Sequence, residues 1–122
     1  MTKETKKYTE QLLKTIIEGA QEIKAHDIVV LDLKEIPNAI ADYYVVCHGE
    51  SSTQVDSIAK SIDRQTRKDL QEKPYHTEGI QNSTWILLDY ISIIVHVFYK
   101  ETRDLFDIEG LWADAKIINI ED

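Results

Sequence analysis

Two apolar segments set two residues apart constrain the fold more than anything else in the chain. They are Trp85-Ile86-Leu87-Leu88-Asp89-Tyr90 and Ile93-Ile94-Val95-His96-Val97-Phe98. Both are short and rich in β-branched and aromatic side chains, so they predict two strands of a hairpin that turns over Ile91 and Ser92. In that register Tyr90 faces Ile93, Leu88 faces Val95 and Ile86 faces Val97, which makes one face wholly apolar. The other face sets Asp89 against Ile94, Leu87 against His96 and Trp85 against Phe98. A sheet apolar on both sides must be covered on both sides, or covered on one and used for binding on the other. Two readings of the polar exceptions follow. Asp89 and His96 satisfy each other as diagonal neighbours, or they belong with the aromatics to an interface hot spot.

The rest of the chain supplies cover for such a sheet. Tyr8, Leu12, Leu13, Ile16, Ile17, Ala20 and Ile23 recur at helical spacing and predict an amphipathic helix from about Lys3 to Lys24. Asp27–Leu33 and Asp42–His48 read as strands, with Pro37 and Asn38 in the loop between them. Ser51-x-x-Gln54 is a capping-box signature opening a helix that buries Val55, Ile58, Ala59 and Ile62 and ends near Lys73, before Pro74. A polar loop follows, carrying Glu78-Gly79 and Asn82-Ser83. After the hairpin come short helical turns over Glu101–Phe106 and Ile108–Ala113. The expectation is one α/β domain over residues 1–122, a mixed sheet of four or five strands with packed helices. Residues 115–122 form a tail that is an edge strand or flexible.

The 122 residues suffice to bury a core without disulfide or metal staples. Cys47 is the only cysteine, lies in the apolar run Tyr43–Cys47, and reads as a small buried strand residue in a reducing compartment. The first residues contain no apolar leader-like run, and no stretch approaches the ~20 apolar residues of a membrane helix, so a cytoplasmic protein without a membrane partner is expected. The net charge is −8 and uneven: from residue 78 onward there are three basic and nine acidic side chains. An acidic balance disfavours the nucleic-acid backbone as main partner and favours a basic protein; solubility alone is the plainer reading.

Catalytic readings find little to stand on. Nucleotidyl transfer on paired metals needs two or three clustered carboxylates, and Asp89 is the only acid on the hairpin strands. Gly49-Glu50-Ser51 resembles a phosphate-binding helix start, but no Lys-Ser/Thr follows and capping already accounts for the serines. His26, His48, His76 and His96 show no metal spacing. No catalytic residue, cofactor or metal is expected, and the protein reads as a binding module rather than an enzyme.

The ordered set Asp27-Ile-Val-Val-Leu-Asp32-Leu, Ala41-Asp42-Tyr43-Tyr-Val-Val, Gly49-x-Ser51-Ser52, Glu78-Gly79, Trp85-Ile-Leu-Leu-Asp89-Tyr90, His96-Val-Phe98, Glu101-Thr-Arg103 and Leu111-Trp112-Ala-Asp114 resembles the ribosomal silencing factor family, also called RsfS or Iojap. The resemblance runs from about His26 to Asp114. It implies a nucleotidyltransferase-like α/β fold without a metal site, and a protein that docks on ribosomal protein fourteen of the large ribosomal subunit. Its bulk would then hinder joining of the small subunit and repress translation when nutrients are short. Ribosomal RNA would be a peripheral partner at most, and the protein would be a homodimer off the ribosome. On the matching positions the docking surface is expected at Trp85, Leu87, Asp89, His96 and Phe98, with Asp107, Glu109 and Trp112 as an acidic-aromatic rim. The runner-up is a metal-dependent nucleotide-handling enzyme on the same fold. This chain departs from the family at Ile91-Ser92, where many members carry a glycine-containing turn. A β-branched residue resists the positive φ of a tight turn, which predicts a hairpin bulged or lengthened by a residue or two. Tyr99-Lys100 replaces the commoner His-Pro step, a change expected to affect only the following loop.

Overall fold

A computed structural model describes residues 3–121; Met1, Thr2 and Asp122, the ends of the expected domain, lie outside it. The elements run α1 (Lys3–Glu22), β1 (His26–Asp32), β2 (Tyr43–Gly49), α2 (Ser52–Leu70), β3 (His76–Glu78), β4 (Trp85–Asp89), β5 (Ile93–Tyr99), α3 (Lys100–Phe106), α4 (Ile108–Leu111) and β6 (Lys116–Asn119). They build a mixed six-stranded sheet in the order β3-β4-β5-β2-β1-β6, one or two strands more than expected. The tail does pair, as the edge strand β6 along β1. The unforeseen strand is β3, whose residues pair with Leu87, Leu88 and Asp89 from within the polar loop. Three residues with no apolar alternation carry no sequence signal, because only their backbone takes part in the pairing.

α2 carries the chain from β2 to the far side of the sheet, so that β2 and β5 lie parallel while every other pair is antiparallel. Ser51 Oγ accepts from the Gln54 amide at 3.1 Å, and the Gln54 side chain accepts from the Glu50 amide at 2.8 Å, a capping box displaced by one residue on its return bond. The helix stops at Leu70 rather than near Lys73 because Gln71 turns left-handed, with φ 54°, and its amide bonds back to Arg67. α1 packs across α2 at Gly19, where a side-chain carbon would stand 2.8 Å from Ile62 Cα. The Ser61 hydroxyl donates to the Gly19 carbonyl at 2.7 Å and locks that crossing. Between them these helices cover the sheet face made by Val30, Tyr43, Val45, Cys47, Ile86, Leu88, Tyr90, Ile93, Val95 and Val97.

The hairpin takes the register read from its alternation: Trp85 opposite Phe98, Ile86 opposite Val97, Leu87 opposite His96, Leu88 opposite Val95, Asp89 opposite Ile94. It is neither bulged nor lengthened. Ile91 accepts φ 74°, with the Ser92 amide bonded to the Tyr90 carbonyl at 2.9 Å and the Tyr90 amide to the Ile93 carbonyl at 2.8 Å. The Asp89 carboxylate accepts from the Ile91 amide at 2.7 Å and holds the turn. The Ile91 side chain points into solvent, so the strain is confined to its backbone.

The second face of the sheet, with Val29, Leu31, Tyr44, Val46, Ile94 and Phe98, receives no long helix. The loop from Leu33 to Ala41, Ile108 of α4 and Ala115 cover it, and Trp85, Leu87 and Trp112 close the remainder only in part.

Candidate docking surface

The incompletely covered end of this face is where the sequence places its anomalies. Trp85 stands on β4 with its ring against Phe98 (centroids 4.9 Å apart) and against Phe106 of α3 (4.9 Å). Its indole N–H donates to His96 Nδ1 at 3.1 Å. The backbone beneath it is fixed by Gly79, which has φ 85° and whose missing side chain would overlap the Trp85 carbonyl. Only glycine fits there, which gives the Glu78-Gly79 pair its purpose.

The expected docking residues divide by depth. Trp85, Leu87, Asp89, Glu109 and Trp112 are half-buried and Asp107 is exposed, whereas His96 (4 % exposed) and Phe98 (0 %) lie beneath them. Phe98 is the floor on which Trp85 rests. Asp89 and His96 do not satisfy each other: Asp89 belongs to the Ile91 turn, and His96 is bonded to Trp85. The His96 ring is hemmed in by Tyr44 at 4.7 Å, Trp85 at 5.9 Å and Phe98 at 6.1 Å. Burial pushes its pKa down to about 4, so it is neutral at physiological pH. Because Nδ1 accepts from the indole, the ring proton sits on Nε2. That nitrogen is buried and has no partner among the described residues.

The rim is built by α3 and α4, two short helices joined at Asp107. This residue is left-handed (φ 43°), ends α3 with its amide bonded to the Arg103 carbonyl, and caps α4 with its carboxylate on the Gly110 amide. Arg103 anchors both helices to the sheet. Its Nε and Nη2 donate to the two Glu109 carboxylate oxygens at 3.0 and 3.1 Å, and its Nη1 donates to the Asp27 carbonyl at 2.8 Å and to His48 Nδ1 at 2.9 Å. Burial, and after it the neighbouring guanidinium, lowers the His48 pKa. Asp27 needs this anchor because it sits at φ 46° in the irregularity that interrupts β1.

Three apolar side chains of the rim stand outside the expected docking residues. Leu105 and Leu111 are 79 % and 77 % exposed, and Phe106 is half exposed beside Trp85. They flank Asp107 within a run that also carries Glu101, Asp104, Glu109 and Asp114. Of these acids Asp104 pairs with Lys100 at 3.1 Å and Glu109 with Arg103 at 3.0 Å, so the excess negative charge of the run rests on Glu101, Asp107 and Asp114. Among the described residues no group of three or more His, Cys, Asp and Glu side chains converges as metal ligands, and no helix is long and apolar enough to cross a membrane.

Comparison with known proteins decides the family. The family model for "Ribosomal silencing factor during starvation" matches residues 6–122. The chain belongs to the ribosomal silencing factor family. The silencing factor RsfS of Bacillus subtilis is 35 % identical over 111 residues, covering 90 % of this chain and 92 % of that one. A crystal structure of a Chromobacterium violaceum protein superposes with a TM-score of 0.80 at 30 % identity, covering 85 % of each chain. One from Bacillus halodurans gives 0.76 at 28 % identity and covers 93 % of this chain and 99 % of that chain. Family membership links the chain to the ribosome and to a regulatory role, in agreement with the resemblance read from residues 26–114.

Proposed function

We propose that the protein docks on the large ribosomal subunit through the Trp85 face, contacting the basic ribosomal protein fourteen of that subunit, and sterically blocks joining of the small subunit. Translation is repressed by occupancy alone, with no chemical step. The observation that carries this reading is the partly buried Trp85, clamped between Phe98 and Phe106 of α3, whose short helical rim carries Asp104, Asp107 and Glu109. A rigid aromatic anchor at the centre of a patch, with charge at its edge, is the arrangement that concentrates binding energy in protein interfaces. In this reading Trp85, Leu87, Asp89, Asp107, Glu109 and Trp112 meet the partner, His96 and Phe98 support them from below, and ribosomal RNA is touched only at the edge. A nucleotidyltransferase-like ancestry of the fold, cytoplasmic residence and a homodimer off the ribosome belong to the same proposal.

The test is cosedimentation with purified large subunits, with and without nucleotide and divalent metal, beside a subunit-joining assay. Binding that is indifferent to nucleotide and lowers the yield of joined ribosomes is expected. Trp85→Ala should weaken binding by about 2 kcal/mol, roughly thirtyfold, while unfolding stays cooperative. Failure to pellet, combined with binding of nucleotide and metal, would replace this reading by a nucleotide-handling enzyme.

A further inference from the structure

The docking surface contains one group that the fold leaves unfinished. His96 Nε2 carries a proton, lies buried in the sheet face, and has no acceptor among the described residues. The other buried imidazole of this face and the guanidinium beside it are completed, His48 and Arg103 by each other and Arg103 also by Glu109 and the Asp27 carbonyl. A buried donor without an acceptor is unfavourable and rare in native proteins, and it therefore calls for a cause. Leu87 lies directly across from His96 and Trp85 diagonally, both partly buried, and the Trp85 indole is committed to Nδ1.

Building on the docking reading above, we infer that His96 Nε2–H is a recognition donor, completed by a carbonyl oxygen from a basic polypeptide segment that displaces the Leu87 side chain as it docks and leaves Trp85 bonded to Nδ1. The charge around the site selects this class of acceptor. From residue 78 onward the chain carries nine acidic and three basic side chains, and with Asp104 and Glu109 already paired to Lys100 and Arg103 the remaining excess still repels a carboxylate or phosphate and attracts flanking lysines and arginines. The imidazole is neutral, so a neutral backbone or amide carbonyl is the acceptor that enters without desolvating a charge. The donor supplies specificity: a surface that fits the aromatic patch but brings no acceptor leaves His96 unsatisfied.

Two measurements on the full chain test this. In the first, protein labelled with ¹⁵N-histidine is titrated with isolated ribosomal protein fourteen of the large subunit, while light scattering reports complex formation. The His96 Nε2–H resonance is expected to shift downfield and exchange more slowly in the complex. In the second, His96→Leu is expected to bind large subunits about tenfold more weakly, the loss of one hydrogen bond, with a urea midpoint equal to or above that of the parent. An unshifted resonance in a complex that has formed overturns the inference. So does a downfield, exchange-protected signal already present in the free protein, or a signal that moves with the protein's own concentration, which would make a second copy the occupant. Unweakened binding by a folded His96→Leu variant overturns it too; if that variant does not fold, the titration of the parent protein decides. Should the parent fail to pellet with large subunits, the docking reading fails as well. Should the parent bind and Trp85→Ala bind weakly while His96→Leu binds normally, only the His96 inference falls.

Discussion

Replacing Arg103 by alanine should cost the protein about 4 kcal/mol of stability, and should weaken docking although Arg103 itself is almost wholly buried. The figure is built from the contacts. The guanidinium makes two charge-assisted bonds to Glu109, at 3.0 and 3.1 Å, and donates to the Asp27 carbonyl and to His48 Nδ1. Removing one partner of a buried ion pair costs about 3–5 kcal/mol, because the other charge is stranded. Here the Glu109 side chain keeps 28 % of its exposure and water can reach it, which places the ion-pair loss at the low end. The Asp27 carbonyl and His48 Nδ1 add about 1 kcal/mol or less each once water replaces the guanidinium. Glu109→Gln should cost only about 1 kcal/mol, since an amide oxygen still accepts from the fork. The assay is urea unfolding of the parent, the two single variants and the double variant, followed by pelleting with large subunits. An Arg103→Ala loss below 1 kcal/mol would show that the guanidinium is solvated and does not fasten α3 and α4 to the sheet. Full stability loss with unchanged docking would sever the rim from binding.

Four further expectations follow from single features. Ile91→Gly should stabilise the protein by about 1 kcal/mol in urea unfolding, because Ile91 holds φ 74° with its side chain in solvent, so relief of strain outweighs the entropy of glycine. Gly79→Ala should lower the melting temperature sharply and disturb Trp85 fluorescence, since the new carbon would meet the Trp85 carbonyl at a position with φ 85°. Tyr90→Phe should cost about 1 kcal/mol, as the buried Thr66 hydroxyl loses its 2.9 Å partner. His96 gives stability a pH dependence. Its folded pKa of about 4 lies below the unfolded value, so its contribution is complete above about pH 6.5 and disappears as the pH falls from there to 4, a change of roughly 3 kcal/mol. Unfolding curves for the parent and His96→Leu between pH 7 and 4 should diverge by that amount, and parallel curves would refute it.

What the sequence revealed depended on whether a residue's role repeats along the chain. The hairpin register was legible because a two-residue turn at Ile91-Ser92 sets Ile86 against Val97 and Leu88 against Val95, giving one face with no polar exception while Asp89 and His96 fall together on the other. For residues 115–122 the sequence left an edge strand and a flexible tail open, and only the pairing of β6 with β1 decides between them. Residues whose roles come from distant partners were not legible. Arg103 sits in an acidic helical run and reads as a surface charge; its burial depends on Asp27 and His48, more than fifty residues earlier. The depth of His96 and Phe98 depends on how far α3 folds back to lay Phe106 on Trp85, which no local pattern encodes. Leu105 and Leu111 were missed because a helix of one or two turns has no complete face to bury, so its apolar residues give no periodic signal. The turn misled for a different reason. Ile91 is a poor choice for positive φ, and the Asp89 carboxylate on its amide helps hold it there.

The two faces of the sheet have opposite physical characters, and that contrast bears on how a small domain could hold a large partner. The face under α1 and α2 is apolar throughout and does nothing but stabilise. The other face carries His48, His96 and Asp89, and α3 adds Arg103 beside it. Each fixes something: Arg103 with His48 fixes the rim, Asp89 fixes the hairpin turn, and His96 with Phe98 and Phe106 fixes Trp85. Binding normally loses about 0.5–1.5 kcal/mol for each flexible side chain it immobilises. A Trp held by two rings and a hydrogen bond has little freedom left to lose, provided the partner leaves it in place. The His96 inference keeps that clamp and asks only Leu87, the direct cross-strand neighbour of His96, to swing aside. The contact of the indole with Phe106 should therefore persist in the complex while His96 gains its acceptor. Leu87→Ala opens the route to His96 and should speed association, and an association rate unchanged in a folded Leu87→Ala variant would refute Leu87 as the gate.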